Sequence, residues 1–234
     1  MSTNLKDLEP TFKDINAKAI NGLLGLILHL ALAVTNLVLM ILIAPTGGLS
    51  VLILILTIPL FLVMFNSYVI INPNESVVVQ FFGKYAATLK DEGFQFFLNP
   101  LYTKTRISLR INNFESNKLK VNDVNANPID IAAVVVWRVF DSAEALFEVE
   151  NYDHYVQIQS EAALREMATK YPYDAIEEKD IGGITLSSHQ DAVAEELQTS
   201  VEARLARAGI EVLEARISYL SLIHISEPTR QSSI

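Results

Sequence analysis

The sequence predicts an α+β protein attached to a membrane by an N-terminal hairpin of two apolar helices. Two long apolar segments lie near the start of the 234-residue chain, strand-like runs follow them, and helical patterns precede a last strand. This order is typical of α+β domains with an antiparallel-rich sheet. The predicted divisions are 1–19 (tail or interfacial helix), 20–65 (membrane hairpin), 66–220 (α+β domain) and 221–234 (a tail discussed below).

The hairpin is predicted from two uncharged segments. Residues 20–44 contain no Lys, Arg, Asp or Glu, and at about 1.5 Å per residue they can cross the ~30 Å hydrocarbon layer. Residues 50–65 are also apolar and contain Pro59, but they span only about 24 Å. The short connection over residues 45–49 forces the second segment back on the first. Two full spans and a re-entrant wedge both return the chain to the side of its N-terminus.

The charges around the hairpin predict its orientation. Lysines precede the first segment and the connection carries no charge, so both ends are expected to face the cytoplasm. Apolar residues at helical spacing before the hairpin predict a short interfacial helix, with an unstructured tail interrupted by Pro10 as the alternative. These lysines are Lys6, Lys13 and Lys18, and the apolar residues are Leu5, Leu8, Phe12 and Ile15.

Strands are predicted after the hairpin. Residues 68–82 place β-branched and aromatic runs on either side of an Asn72-Pro73-Asn74 turn. Residues 119–124 and 129–140 flank Asn125-Ala126-Asn127, which predicts a β-hairpin. Because residues 129–140 are apolar almost throughout, we expect a central strand covered on both faces. Trp137 in this strand is predicted to be a core residue, not a platform for a cofactor.

Three helices and a returning strand are predicted next. Asp141 and Asn151 are candidate N-caps for the first two helices, the second of which ends near Lys170. The third covers residues 191–208, ends at Gly209 as its C-terminal cap and precedes a strand over residues 210–219. One apolar stripe marks its packing face: Val193, Leu197, Val201, Leu205 and Ala208.

Five short segments in this region resemble, in order, motifs of the SPFH (band 7) superfamily, which includes stomatins, prohibitins and flotillins. The opening match runs from Ile71-Asn-Pro-Asn-Glu75 to Phe82-Gly-Lys84 and is followed by Glu92-Gly-Phe-Gln-Phe-Phe-Leu-Asn-Pro100. The other three are Val135-Val-Trp-Arg-Val139, Gln159-Ser-Glu-Ala-Ala-Leu-Arg165 and Ala208-Gly-Ile-Glu-Val212. The similarity covers about residues 66–220 and indicates a slipin-like, membrane-anchored member.

The resemblance implies a scaffold without intrinsic catalysis. It implies ring- or cage-like homo-oligomers that contact membrane lipids, organise membrane microdomains and regulate a membrane protease or channel. Two features of the family are missing. No cysteine is present for palmitoylation, and the long coiled coil expected after Arg216-Ile-Ser-Tyr-Leu220 does not follow.

The final residues are expected to be artefactual. Residues 220–230 read Leu-Ser-Leu-Ile-His-Ile-Ser-Glu-Pro-Thr-Arg, which is the translation of the end of a common transposase-based sequencing adapter. We therefore expect a longer native protein and give His224 no functional weight. A genuine short polar tail is the alternative. Adapter sequence and the absence of cysteine point to a prokaryotic inner membrane.

Composition excludes several classes of function. Residues 66–220 carry 14 Lys and Arg against 23 Asp and Glu, which argues against nucleic acid as a partner because phosphate binding needs a basic patch. The same acidity argues against attachment to anionic lipid through this surface. The lack of cysteine excludes disulfides, thiolate catalysis and zinc bound by Cys.

No catalytic, cofactor or metal site is predicted. The order Ser188-His189-Gln-Asp191 suggests a triad, but triads assemble across space, so we interpret these residues as a polar helix start capped by Ser187, Ser188 or Asp191. Glu177-Glu178-Lys179-Asp180 is a candidate cation site that we interpret as a solvated loop. His154 belongs to no metal-binding motif.

Polar residues inside the first segment, His29, Thr35 and Asn36, define a further alternative. They would form a relay if the chain were part of a polytopic transport complex. We favour hydrogen bonding between the two hairpin helices. The remaining alternative is a membrane-tethered hydrolase, or a protease-associated subunit, that uses Ser188, His189 or the acidic cluster.

Overall fold

The computed structural model describes residues 14–16, 19–46, 48–97, 101–174 and 185–222. The chain divides into two compact units, an N-terminal unit over Thr11–Arg110 and a C-terminal unit built mainly from Ile111–Ile234. The boundary falls inside the region predicted as one α+β domain. Each unit has its own sheets and is described separately.

The apolar segments of the N-terminal unit form two helices that pack against each other. The first helix extends to Thr46 and the second begins at Gly48, so both helices reach into the predicted connection over residues 45–49. An apolar segment must satisfy its backbone groups internally, which favours helix even through turn-prone residues. The elements are β1 (Ile20–Asn21), α1 (Gly22–Thr46), α2 (Gly48–Met64) and a 3₁₀ turn (Phe65–Ser67).

Strands complete the N-terminal unit as two antiparallel sheets, ordered β1-β5-β2 and β4-β3-β6. The strands are β2 (Tyr68–Ile71), β3 (Glu75–Phe81), β4 (Lys84–Leu89), β5 (Gly93–Phe96) and β6 (Tyr102–Ser108). The turn at 72–74 joins β2 and β3 as predicted, but these strands belong to different sheets. Apolar side chains of both strands meet in one core cluster, so the turn connects two packed layers.

The residues before the hairpin lie along the edge of β4. The backbone N–H of Thr88 donates to the Ile15 carbonyl at 2.9 Å, and the Ile15 N–H donates to the Tyr85 hydroxyl at 2.8 Å. Asp14 accepts from the Thr88 hydroxyl at 2.7 Å and pairs with Lys90 at 2.7 Å. Ile15 is therefore not helical, because this segment satisfies an open strand edge. The rest of the predicted interfacial helix, with Leu5, Leu8 and Phe12, lies outside the described residues.

The C-terminal unit is a four-stranded antiparallel sheet with helices. Its central strand is β9, which pairs with the three other strands of the sheet. The elements are β7 (Asn112–Glu115), β8 (Leu119–Asn122), β9 (Pro128–Val139), α3 (Ser142–Phe147), α4 (Tyr152–Lys170), α5 (Gln190–Leu205) and β10 (Ile210–Leu222).

The expectation that β9 is covered on both faces is only half right. One face is fully buried, including Trp137 at 3% exposure, whereas Val134, Val136 and Arg138 on the other face are half-buried. The second face carries charge pairs such as Arg138 with Glu211 at 2.6 Å. Apolar composition alone therefore overstated the covering of this strand.

The helix boundaries follow local signals in the sequence. Asp141 caps α3 by accepting from the N–H groups of Ala143 and Glu144, and Asn151 caps α4 by accepting from His154. The predicted α5 stripe is buried, and Gly209 ends the helix in the left-handed conformation at φ 64°. The last strand extends three residues beyond the predicted end at Tyr219, to Leu222.

Candidate functional site

The packing face of α1 is made of small and polar residues. Gly22, Gly25 and His29 are buried and Asn36 is half-buried, at spacings that place them on one side of the helix. The remaining surface of α1 exposes large apolar side chains, among them Leu23, Leu24, Leu26, Ile27 and Leu30. The stretch Gly22–Ile41 is long and apolar enough to cross a membrane, and the described apolar stretch of the second helix is shorter. This surface is consistent with membrane association.

Two glycines allow α1 to lie directly on β5. A Cβ atom at Gly22 would lie 2.1 Å from Cδ1 of Phe94, and one at Gly25 would lie 2.4 Å from Cγ of Phe96. Both distances are far inside van der Waals contact, so only glycine permits this approach. The base of the apolar helix is thus seated on the β1-β5-β2 sheet. We call this contact, formed by Gly22, Gly25, Phe94 and Phe96, the hairpin seat.

His29 lies in an aromatic cage directly above the seat. Its ring centroid is 4.3 Å from that of Phe61 and 4.4 Å from that of Phe65, and Nδ1 lies 3.3 Å from the Tyr68 hydroxyl. Nε2 is buried without a hydrogen-bond partner among the described residues. The cage comes from α2 (Phe61), the 3₁₀ turn (Phe65) and the first residue of β2 (Tyr68), so His29 joins the hairpin to the strand that follows it.

The other polar residues of α1 bond within the hairpin. The Thr57 hydroxyl of α2 donates to the Asn36 side-chain oxygen and also contacts the Ile53 carbonyl. Thr35 donates to the Ala31 carbonyl one turn earlier, at 2.8 Å. These contacts agree with the predicted interhelical hydrogen bonding. They do not support the alternative in which Asn36 and His29 line a water-accessible path.

A lysine marks the point where the chain leaves the hairpin. Lys104 of β6 donates to the Tyr68 carbonyl at 3.1 Å and to the Asn66 carbonyl. These carbonyls follow the end of α2, where a cation complements the helix dipole. Burial lowers the pKa of Lys104 from its ordinary value. The exit of the hairpin is therefore fixed by hydrogen bonds as well as by packing.

The residues of the hypothetical triad do not assemble. His189 Nδ1 lies 3.3 Å from the Thr185 backbone nitrogen, and the Ser188 hydroxyl lies 3.3 Å from that of Ser187 rather than on the imidazole. Ser187 also donates to Asp174 at 3.2 Å. The helix start is polar as expected, but the predicted cap is wrong: His189 occupies the N-cap position of α5 without a side-chain cap. The contact with Thr185 holds the His189 ring away from helix α5.

The other candidate residues gain no chemical role. His154 is exposed in the first turn of α4, and in the described part of the chain no three His, Asp or Glu residues lie close enough to hold a metal ion. Trp137 packs edge-on against Tyr152 with centroids 6.1 Å apart, as a core residue. The acidic cluster at 177–180 and His224 lie outside the described residues.

The sequence reasoning missed a carboxylate that organises the β8–β9 turn. Asp123, almost fully buried, accepts from the N–H groups of Asn125 and Asn127, from the Asn127 amide and from the N–H of Tyr173, at 2.7–3.1 Å. Burial alone would raise the pKa of Asp123, but these hydrogen bonds outweigh it and lower the pKa. The Asp-x-Asn-x-Asn spacing was visible as an Asx-type turn signal. The hydrogen bond from the Tyr173 N–H, fifty residues away, could not be recognised in the sequence.

A second missed cluster joins α4 to α5. Glu196 accepts from the Lys170 ammonium and the Tyr171 hydroxyl. The hydrogen bonds from Lys170 and Tyr171 lower the pKa of Glu196, and the bonds to Glu196 raise the pKa values of both donors. Because Lys170 is exposed and Tyr171 and Glu196 are half-buried, we interpret the cluster as a surface tie between two helices.

An apolar helix pair packs on a small β unit, and an α+β unit follows in the chain, an arrangement that is consistent with membrane association. Residues 69–223 match the model of the SPFH domain / Band 7 family. Since the match covers more than half of the chain, this protein belongs to that family. No curated protein matches the chain.

Proposed function

We propose that this protein is a membrane-anchored scaffold that acts through assembly with copies of itself. In this proposal the hairpin holds the SPFH domain at a membrane, where the oligomer organises lipid microdomains and regulates a membrane protease or channel. The observation that carries the proposal is the hairpin seat, because a helix with an apolar outer surface packs directly on a strand that belongs to the family domain. An anchor so joined fixes the orientation of each copy at the bilayer, which favours ordered lateral assembly.

The proposal places both ends of the hairpin on the cytoplasmic side of a plasma membrane, in a prokaryotic cell. The lysines before α1 and the uncharged connection between the helices support this orientation. It is tested by cysteine labelling, since the chain has no cysteine of its own. Ser2→Cys and Glu150→Cys variants should react equally with an impermeant maleimide in inside-out vesicles, and neither should react in right-side-out vesicles. Reaction of the two positions from opposite sides would contradict the hairpin.

Self-assembly is tested by co-isolation. Two differently tagged forms of the chain are expressed together, membranes are washed with carbonate, and one tag is captured after mild detergent extraction. The membranes that contain both forms should yield both tags in the captured fraction. As the control, each form is expressed in separate cells, and the two detergent extracts are mixed before capture. This mixture should yield only the captured tag. Capture of a single tag in both samples would contradict the scaffold.

The hydrolase alternative is not supported by the geometry of the described residues. His189 contacts Thr185 instead of a serine nucleophile, and the half-exposed face of β9 carries paired charges.

A further inference from the structure

The edge of β4 carries a binding site for one carboxylate of the segment before the hairpin, residues 14–16, which we call the strap. Asp14 accepts from the Thr88 hydroxyl at 2.7 Å and pairs with the Lys90 ammonium, also at 2.7 Å. The Tyr85 hydroxyl lies 2.9 Å from that of Thr88. Only 9% of the Asp14 side chain is exposed, and Thr88 is fully buried. Three side chains in or next to β4 therefore enclose a single acidic group.

Polar contacts, rather than apolar burial, hold the strap on β4. The Thr88 N–H donates to the Ile15 carbonyl at 2.9 Å, and Asn16 lies opposite Thr88 in a parallel pairing. The Ile15 side chain is 57% exposed, and Asn16 is exposed as well. The strap therefore leaves β4 without uncovering a large apolar side chain of its own. An identical strap from another chain restores the same bonds.

A short connection joins the strap to the base of the hairpin. Ala19 packs against the apolar core cluster of the N-terminal unit, and Ile20–Asn21 pairs with β5. Three residues, 17–19, separate Asn16 from this pairing, so the strap reaches at most about 14 Å from Ile20. Only a chain whose N-terminal unit lies directly beside this one is within that reach.

The strap and the β4 edge are two different surfaces of the same unit. Each copy of the chain therefore carries one strap to give and one edge to fill, and exchange between copies preserves every contact. A contact between unlike surfaces is heterologous: it passes from copy to copy and forms a ring where the rotation closes. Anchoring in one membrane raises the effective concentration of neighbouring straps at each edge, which favours exchange.

We propose that neighbouring copies exchange their straps in the membrane, so that residues 14–16 of one chain occupy the β4 edge of the next. Asp14 is then bound by Thr88 and Lys90 of the neighbouring copy, and an isolated chain keeps its strap on its own β4. The inference deepens the proposed function and rests on it, because it requires copies that lie side by side. It names a contact that joins one copy to the next and gives that contact a direction.

The proposal is tested with disulfides, since the chain has no cysteine of its own. A chain with Asn16→Cys and one tag is expressed together with a chain that carries Thr88→Cys and a second tag, because these two residues lie opposite each other. The membranes are oxidised with copper phenanthroline. In the matched control, Glu150→Cys, an exposed position of the C-terminal unit, replaces Thr88→Cys. We expect a mixed dimer with both tags, severalfold more abundant than in the control.

A chain that carries both Asn16→Cys and Thr88→Cys distinguishes exchange from closure within one chain. Exchange predicts a ladder of covalently linked chains on a non-reducing gel. A disulfide confined to single chains would overturn the proposal. The absence of any disulfide would overturn it too, because that result contradicts the pairing of the strap with β4.

The carboxylate site is tested by reversing charges across two chains. Adding Asp14→Lys to the Asn16→Cys chain should reduce the mixed dimer severalfold, because two ammonium groups then meet at Lys90. Adding Lys90→Asp to the Thr88→Cys chain should restore most of it, since opposite charges meet again. Restoration by a change in the other chain is not expected of a variant that merely misfolds. A yield that ignores both charge reversals would overturn the proposed contact.

Capture of the tagged copies under reducing conditions separates this inference from the proposed function. If the copies are captured together but no mixed disulfide forms, the exchange is wrong and the scaffold stands. If the copies are not captured together, both the scaffold and the exchange are contradicted.

Discussion

Asp123 shows how one buried carboxylate can replace several backbone partners. It binds four N–H groups of the β8–β9 turn and of the segment after α4, so it joins elements that are distant in the chain. An ionised carboxylate accepts more bonds, and stronger ones, than a neutral side chain of the same shape. We therefore expect the charge of Asp123 to contribute to the stability of the C-terminal unit.

The charge of Asp123 gives a testable dependence on pH. The hydrogen bonds hold its folded-state pKa below the unfolded value of about 3.9. The stabilisation is therefore fully present above the unfolded pKa and is lost as the pH falls through the folded pKa. Asp123→Asn should lower the free energy of unfolding by about 1–3 kcal/mol at neutral pH. Urea unfolding at several pH values should show this difference shrinking below about pH 4, and a constant difference would contradict the explanation.

Gly209 is required by both its conformation and its surroundings. At φ 64° any Cβ atom is strained, and here it would lie 2.4 Å from the Asp141 carbonyl oxygen. The Gly209 carbonyl also accepts from the N–H groups of Phe140 and Asp141, so a shift would disturb the start of α3. Gly209→Ala should lower the free energy of unfolding by about 1–3 kcal/mol or more. Gly83→Ala, also at positive φ but with open space around it, is the control and should cost less.

At the scale of elements, the hairpin seat decides how the apolar helices meet the SPFH domain. Gly25→Leu would force α1 away from the fully buried Phe96 and should destabilise the N-terminal unit by about 1–3 kcal/mol, as overpacking does. Ala31→Leu, on the exposed face of the same helix, is the matched control and should have almost no effect. Urea midpoints of the two variants in detergent micelles measure the difference. Equal midpoints would show that the seat does not support the fold.

Local signals in the sequence predicted most helices well, and long-range contacts account for the errors. The caps at Asp141, Asn151 and Gly209 depend on neighbouring residues only, so the sequence reveals them. The separation of β2 from β3 depends on which sheet each strand joins, and the pairing of residues 14–16 with β4 closes a loop across the whole hairpin. Patterns within one segment carry no information about such pairings.

The candidate site was predictable in kind but not in geometry. The apolar segments predicted the hairpin. Asn36 was predicted to form a hydrogen bond between the two helices, and its contact with Thr57 agrees with that prediction. The seat was not predicted, because Gly22 and Gly25 gain their meaning only from Phe94 and Phe96, some seventy residues later. For the same reason the aromatic cage of His29, which uses Phe61, Phe65 and Tyr68, was visible only in the structure.

At the scale of the whole molecule, the two units differ in composition as well as in fold. The N-terminal unit combines the hairpin with a slight excess of basic residues, whereas the C-terminal unit is strongly acidic. Like charge on neighbouring copies opposes close approach in solution and is screened by salt. We therefore expect that assembly at a membrane depends on anchoring in the bilayer and strengthens with ionic strength. Co-isolation of tagged copies at low and high salt measures this dependence, and weaker assembly at high salt would contradict it.

The central claim is that this chain works as a membrane-anchored multimer. The most direct test is the particle mass of the chain after extraction from membranes into lipid nanodiscs, determined by mass photometry. Our account predicts particles of many copies, more than about ten if closed rings form, and their disappearance when the hairpin is undocked by Gly25→Leu. A uniform population with the mass of one chain in its nanodisc would contradict it.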